Sequence, residues 1–312
     1  MSPSHQADPV ITPPTTDPGH SGSAAALRQS GLSAEALAEL LAVARRAAEA
    51  GAQPLREMFR QVIKVKEKGA AGNLVTEADH AAEAAVLAVL AEATPGFGVL
   101  AEESGRREGS GDLEWCVDPL DGTTNYAHGF PFFATSVGLT WRGQPLLGAL
   151  AAPALEQLFW AAPGHGAWCN GDPMVVSDCS RLADALLATG FAYDRIDRSD
   201  NNYAEFAWFT HRSHGVRRAG AAALDLAYVA AGRFDGYWER GLSPWDLAAG
   251  VVLVEQAGGL VSAYDGSPLA ITSGRILACT PALQAEMAAE LARCRPLSGA
   301  AIGAPELDAT AP

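Results

Sequence analysis

The sequence predicts an α/β chain in two parts, an α+β half built on an antiparallel sheet followed by a smaller α/β half. Three observations carry this. Two helical patterns precede a run of strand-like segments between Gly98 and about Cys179. Beyond about residue 180, strands alternate with helices, the pattern of an α/β layer stack. Apolar residues make up 48% and charged residues 19% of the 312 positions, a balance that lets a chain of this length bury a substantial core.

Residues 1–30 hold Pro3, Pro9, Pro13, Pro14 and Pro18 among Ser, Thr, Gly and Asp. Such a composition buries too little apolar surface to offset ordering, so a disordered tail is expected. Residues 295–312 have the same character, and a flexible tail is expected there too. The two halves then cover 31–179 and 180–294.

In the first half, Ser33 can cap a helix that carries Leu37, Leu40, Leu41 and Val43 at helical spacing and runs towards Phe59. Val62 to Lys66 alternates apolar with polar residues and reads as a strand, followed by Lys68 and a Gly69-Ala70-Ala71-Gly72 turn. A second helix follows Thr76, with Ala82, Ala85, Val86, Val89 and Leu90 as its apolar stripe. Strands are expected at Val99–Leu100, Leu113–Val117, Thr135–Trp141, Pro145–Ala151, Gln157–Ala161 and Met174–Ser177, with the two helices covering the sheet they form. In the second half, Ala185–Phe191 reads as a buried strand, and Tyr203–Thr210, Ala222–Ala231 and Trp245–Ala257 as helices.

Lys and Arg number 22 against 36 Asp and Glu, a net charge of −14. That excess repels a polyphosphate backbone and an anionic membrane surface, so neither nucleic acid nor membrane is expected as a partner. Gathered in one place, the same carboxylates can hold divalent cations; spread over a surface, they only aid solubility. Cys116, Cys169, Cys179, Cys279 and Cys294 are far apart and form no C-x-x-C pair, which argues against a disulfide framework and a zinc site. A reducing cytoplasm fits that set. So does the lack of an uninterrupted apolar run of about 18 residues and of a basic start leading into an apolar core.

The chemistry concentrates in Trp115-Cys116-Val117-Asp118-Pro119-Leu120-Asp121-Gly122-Thr123-Thr124-Asn125. An apolar strand ends in two carboxylates three apart, a proline stops its continuation, and a glycine permits a tight turn into hydroxyl-bearing residues. Asp118, Asp121 and the Leu120 carbonyl offer three oxygens to a hard cation within one turn. Gly122, Thr123 and Thr124 look like the start of a short helix, whose N–H groups can meet a phosphate oxygen. The competing reading is a capped turn, for which Asp, Pro, Gly and Thr are ordinary material. Ala101-Glu102-Glu103-Ser104 after a short strand, and Asp246 opening the helix from Trp245 towards Gly258-Gly259, add acidic residues that in isolation read as solvated charges and a helix cap. His80, His128, His165, His211 and His214 stand beside no candidate nucleophile, and no G-x-x-x-x-G-K-[ST] loop is present.

Taken together, these segments resemble the inositol monophosphatase superfamily of magnesium-dependent, lithium-sensitive phosphomonoesterases. Asp118 to Asn125 is similar to its first signature and Trp245 to Gly259 to its second, and the likeness runs from about Ser33 to Cys294, including Lys68 and the Leu74-Val75-Thr76-x-x-Asp79 segment. The resemblance implies a layered αβαβα sandwich with the site between the halves, two or three Mg²⁺ ions, a homodimer, and a small phosphorylated polyol or sugar as substrate. Glu102 then matches a ligand of the first metal that also orients the attacking water. Asp118 matches the ligand bridging two metals, Leu120 supplies its carbonyl, and Asp121 and Asp246 match ligands of the second metal. Thr123 matches the hydroxyl that positions water with Glu102, and the N–H groups of Gly122 and Thr123 match phosphate contacts. Asp79 matches an outer partner and contributor to a third metal, and Lys68 a rim residue that is otherwise a surface lysine. Glu239 and the segment around Ala222 match the polyol pocket, where Asp121 also meets a hydroxyl.

The reaction implied is hydrolysis of inositol 1-phosphate by metal-activated water, with no covalent intermediate. Histidinol phosphate, fructose 1,6-bisphosphate or a 3′-phosphorylated nucleotide are alternatives of the same chemistry, and a non-catalytic regulatory binding module is the alternative from another class. Two positions depart from the family pattern. Ala101 stands where glycine is common, and Gln256 replaces an acidic residue, with Glu255 beside it. The latter lies some three helical turns from Asp246 and should affect the helix end only.

Overall fold

Local signals set the first helices where the sequence places them. The computed structural model describes residues 22–61 and 74–296, and the backbone of 65–67. Helix α1 spans Gly22–Ser30 and α2 Ala34–Met58, where the Ser33 hydroxyl accepts from the Ala36 N–H at 3.2 Å. Strands β1 (Val65–Glu67) and β2 (Leu74–Thr76) form an antiparallel pair leading into α3 (Glu77–Ala93), which Thr76 and Asp79 open with a reciprocal capping box. There follow β3 (Gly98–Ala101), β4 (Gly105–Arg107), β5 (Leu113–Asp121), α4 (Thr123–Ala127), β6 (Ala134–Trp141), β7 (Gln144–Ala152), β8 (Gln157–Ala162), β9 (Gly166–Cys169) and β10 (Asp172–Pro173). The second half holds β11 (Leu186–Thr189), α5 (Tyr203–Arg212), β12 (Gly215–Arg217), α6 (Ala222–Ala230), β13 (Gly236–Arg240), α7 (Pro244–Gln256), β14 (Leu260–Ser262), β15 (Arg275–Cys279) and α8 (Gln284–Arg293).

Two sheets result. The first has the order β10-β9-β8-β7-β6-β5-β3-β4 and is antiparallel except for the β3–β5 pair. The second has the order β12-β11-β13-β15-β14 and is mixed, with β11 parallel to both its neighbours. Leu37, Leu41, Ala44 and Ala48 of α2 and Val86 and Leu90 of α3 pack on Val117, Val137, Leu139 and Leu147, covering one face of the first sheet. Its other face, with Leu150 and Phe159, shares a core with α6, α7 and the inner residues Tyr237, Ile276 and Ala278 of the second sheet. The far face of that sheet, with Leu187, Trp238 and Leu277, is closed by Phe209 of α5 and Met287 and Leu291 of α8. The layers are therefore αβαβα, and each fully buried Leu or Phe in them contributes roughly 1.5–3 kcal/mol.

Two expectations change. Within the tail expected over 1–30, residues 22–30 form α1, because the Glu255 carboxylate at the end of α7 accepts from the Gly22 and Ser23 N–H groups at 3.0 and 2.9 Å and sits on the positive end of the helix. Gln256 joins it, donating to Ser23 Oγ at 3.2 Å. Met174–Ser177 is not a strand: the Met174 N–H bonds the Ala167 carbonyl and the Val176 N–H the Ala257 carbonyl, so the segment spans from sheet to helix end. The strand read at 62–66 falls partly outside the described residues, as do Lys68, residues 1–21 and residues 297–312.

Candidate active site

The carboxylate turn begins where the β5–β6 pairing slips between Asp118 and Asp121. Pro119 cannot donate to the ladder, and its carbonyl is taken by Thr135 Oγ1 at 2.9 Å. Asp118 Oδ1 accepts from the Leu120 N–H at 2.9 Å, and the Leu120 carbonyl lies 3.0 Å from Thr123 Oγ1. Gly122 follows at φ +92°, and a Cβ there would stand 3.0 Å from the Phe132 carbonyl and 3.2 Å from Ala221 Cβ. Only glycine closes this turn without strain.

Asp79 is fully buried and has two tasks. Its Oδ2 accepts from Thr76 N at 2.8 Å and Thr76 Oγ1 at 2.6 Å, capping α3, while Oδ1 lies 3.1 Å from Thr123 Oγ1. Burial raises its pKa despite those bonds. Asp121 crosses between the halves. Its Oδ1 accepts from Ala222 N at 3.2 Å and Oδ2 from Ala223 N at 2.7 Å, at the start of α6. Ala222 is thus at the site, with its N–H spent on Asp121. Asp246 sits in the first turn of α7, where Oδ2 accepts from Ser243 N at 2.7 Å. Ser136 Oγ donates to the Trp245 carbonyl at 3.2 Å and ties that turn to the first sheet. Glu102 follows β3, with its N–H on the Val117 carbonyl at 3.1 Å, and its side chain is close enough to Asp118 to share a hydrogen bond.

The four acids repel one another. Burial first, then Glu102, Asp121 and Asp246, push Asp118 well above the usual carboxylate range. Burial raises Asp246, with Asp121, Glu102 and Glu239 adding to it against the Ser243 bond. Asp121 is pushed up to about 7 by burial, with the α6 N–H groups opposing and Glu102 assisting. An all-oxygen set of carboxylates and one carbonyl, strained by its own charge, fits a hard divalent cation. Among the described residues no three His, Cys, Asp or Glu side chains are set as a ready ligand cage; charge coupling, rather than finished coordination geometry, marks the site.

Glu239, on β13 and 8% exposed, accepts from Tyr237 Oη at 2.5 Å and is pushed up to about 7 by burial. Two neighbours escape sequence reasoning. Asp225 on α6 is buried, and among the described residues neither of its oxygens has a hydrogen-bond partner; in sequence it is one more acid in a first helical turn. Tyr193, on the loop after β11, has its ionisation disfavoured by burial first and by the charge of Glu102, Asp121 and Asp246, and a single tyrosine in a polar loop carries no pattern. Lys68 lies outside the described residues.

Known proteins match this arrangement. The model of the inositol monophosphatase family matches residues 36–296. An inositol-1-monophosphatase of Synechocystis sp. is 47% identical over 253 residues, 81% of this chain and 88% of that protein. The Nus factor SuhB of Pseudomonas aeruginosa is 46% identical over 246 residues, 77% of this chain and 90% of its own. The structure of inositol monophosphatase from Anabaena (Nostoc) sp. superposes with a TM-score of 0.77 at 47% identity, covering 84% of this chain and 98% of the other. With its layers, its buried carboxylates and its sequence all in agreement, the chain belongs to the inositol monophosphatase family.

Proposed function

We propose that the protein hydrolyses phosphate monoesters of small polyols or sugars, inositol 1-phosphate foremost, with two Mg²⁺ ions and a third near Asp79. The observation that carries this is a set of mutually repelling carboxylates drawn from three segments of the chain, Asp118 and Asp121 buried and Glu102 and Asp246 partly so. Bound there, magnesium supplies Lewis-acid polarisation of the phosphoryl group and acidifies water at neutral pH. The chain does the rest. Glu102 and Thr123 orient the attacking water: with the Thr123 hydroxyl donating to Asp79, its oxygen is left to accept a hydrogen bond from that water. The Gly122 and Thr123 N–H groups contact the phosphate, and Asp121 and Glu239 accept hydrogen bonds from substrate hydroxyls. For Lys68 the family resemblance implies a role at the rim.

Phosphate release in Mg²⁺ from inositol 1-phosphate, histidinol phosphate, fructose 1,6-bisphosphate and a 3′-phosphorylated nucleotide tests the reading. Inositol 1-phosphate is expected to turn over fastest, and a chelator to abolish release; equal rates on all would overturn the polyol preference. The name Nus factor borne by the P. aeruginosa relative favours a second reading, a regulatory binding module, which Mg²⁺-independent silence on every ester would select. The family resemblance supports a homodimer, and five free cysteines fit a reducing cytoplasm; among the described residues no helix is long and apolar enough to cross a membrane.

A dependence on pH follows from Asp121 and Glu239, both at about 7 against ordinary values of 3.8 and 4.5. A carboxyl raised in the folded state binds its proton more tightly there than in the unfolded chain. Its contribution to stability is whole below the unfolded pKa and is lost as pH rises through about 7. Cations that bind the ionised site oppose that loss. The rise in Tm produced by Mg²⁺ is therefore expected to be larger at about pH 8 than at about pH 5.5, read by thermal unfolding with Mg²⁺ or with EDTA.

A further inference from the structure

Glu239 stands near the end of β13 with its carboxylate held from two sides. Tyr237, two positions earlier and on the same face of the strand, donates its hydroxyl to Glu239 Oε2 at 2.5 Å. The Tyr237 ring is fully buried in the core that also takes Ala221 to Leu224 at the start of α6, where the Ala222 and Ala223 N–H groups hold Asp121. Burial first, then the charge of Glu239, keeps the phenol protonated, so Tyr237 is the donor of the pair. Its hydrogen bond favours the ionised form of Glu239, against burial.

The second side is main chain. A Cβ on Gly190 would fall 2.1 Å from Glu239 Oε2 and 2.3 Å from Oε1, so both carboxylate oxygens lie against the backbone that follows β11. That backbone is latched to β13. Thr189 Oγ1 donates to the Trp238 carbonyl, Asn202 Nδ2 donates to Thr189 Oγ1 at 2.8 Å and to the Gly190 carbonyl at 2.7 Å, and Trp238 Nε1 donates to Asn202 Oδ1 at 2.7 Å. Arg240, buried at the end of β13, adds a tie by donating to Asp194 Oδ1 at 2.7 Å. With Gly190 fixed in this way, the carboxylate can leave its place only by giving up Tyr237.

We propose that Tyr237 and Gly190 are positioning residues for Glu239 and, through it, set the choice of leaving group. Tyr237 holds Oε2 and Gly190 leaves room for the carboxylate, so that Oε1 is offered in one orientation to a hydroxyl of the polyol. An aromatic leaving group without a hydroxyl gains nothing from this arrangement. The proposal rests on the phosphomonoesterase reading above, in which Glu239 accepts a hydrogen bond from the substrate.

Tyr237→Phe removes the donor and keeps the buried ring. A contact made equally in ground and transition states sets KM alone, so KM for inositol 1-phosphate is expected to rise about 3- to 10-fold with kcat within about 2-fold. Gly190→Ala, which drives a methyl group into the carboxylate, is expected to raise KM at least as far. With p-nitrophenyl phosphate, kcat/KM of both variants is expected to stay within about 2-fold of wild type. In a Glu239→Ala background, itself raised in KM for inositol 1-phosphate, adding Tyr237→Phe is expected to change KM by less than about 2-fold, because the group it positions is gone. A merely structural role would move both esters and both backgrounds alike, and that result would overturn the proposal, as would a wild-type KM in Tyr237→Phe or in Glu239→Ala. Release of phosphate from neither ester by the wild-type protein would instead remove the phosphomonoesterase reading itself.

Discussion

Replacing Asp118 by Asn is expected to lower kcat/KM for inositol 1-phosphate by about 10²–10³-fold or more and to raise the stability of the metal-free chain by about 1–2 kcal/mol. Both effects have one cause. Asp118 is buried beside Glu102, Asp121 and Asp246, and the Leu120 N–H donates to it at 2.9 Å. Asparagine is close in shape, and its oxygen still accepts from Leu120, so the turn survives. What disappears is a buried negative charge, costly without a cation and needed with one. Steady-state assays in Mg²⁺ and urea unfolding in EDTA read the two sides. Wild-type activity in Asp118→Asn would remove the residue from the cation site, and lost activity with lost stability would mean only that the turn had broken.

Gly148→Ala is expected to destabilise the fold by about 1–3 kcal/mol and to lower activity although the residue is far in sequence from Glu102, Asp118, Asp121 and Asp246. Gly148 of β7 is paired with Gly138 of β6, and α7 lies on that pair. A Cβ on Gly148 would stand 2.4 Å from Ala249 Cα and 2.9 Å from the Ala249 carbonyl oxygen, backbone atoms that cannot turn aside. The helix must lift, and Asp246 in its first turn moves with it. At Gly111 an added Cβ meets nothing within 4 Å, so Gly111→Ala is expected to stay within about 0.5 kcal/mol of wild type. Urea unfolding of the pair checks the contrast; equal stabilities would mean that α7 does not rest on the glycines.

The legible parts of the sequence are those fixed by near neighbours. Ser33 and Thr76 cap helices through residues two or three away, and Asp118 to Thr123 form their turn from within seven positions, so both could be read from pattern and turn chemistry. What was not legible depends on distant partners. Helix α1 is held by Glu255, 233 positions from Gly22. Strands β13 and β15 are buried along nearly their whole length, so neither shows an alternation to betray it. The bond from Ala223 N to Asp121 joins residues 102 apart, and nothing local announces that the α6 terminus meets a β5 carboxylate. Nothing local announces the need for Gly138 and Gly148 either, since the helix that requires them arrives a hundred residues later.

The central claim is that oxygens from β3, β5 and α7 close around small divalent cations. A crystal grown with Mn²⁺, which substitutes for Mg²⁺ among oxygen ligands, tests it by anomalous scattering. Anomalous density bounded by Glu102, Asp118, the Leu120 carbonyl, Asp121 and Asp246 is the expected result; a map with no peak among those residues would contradict it.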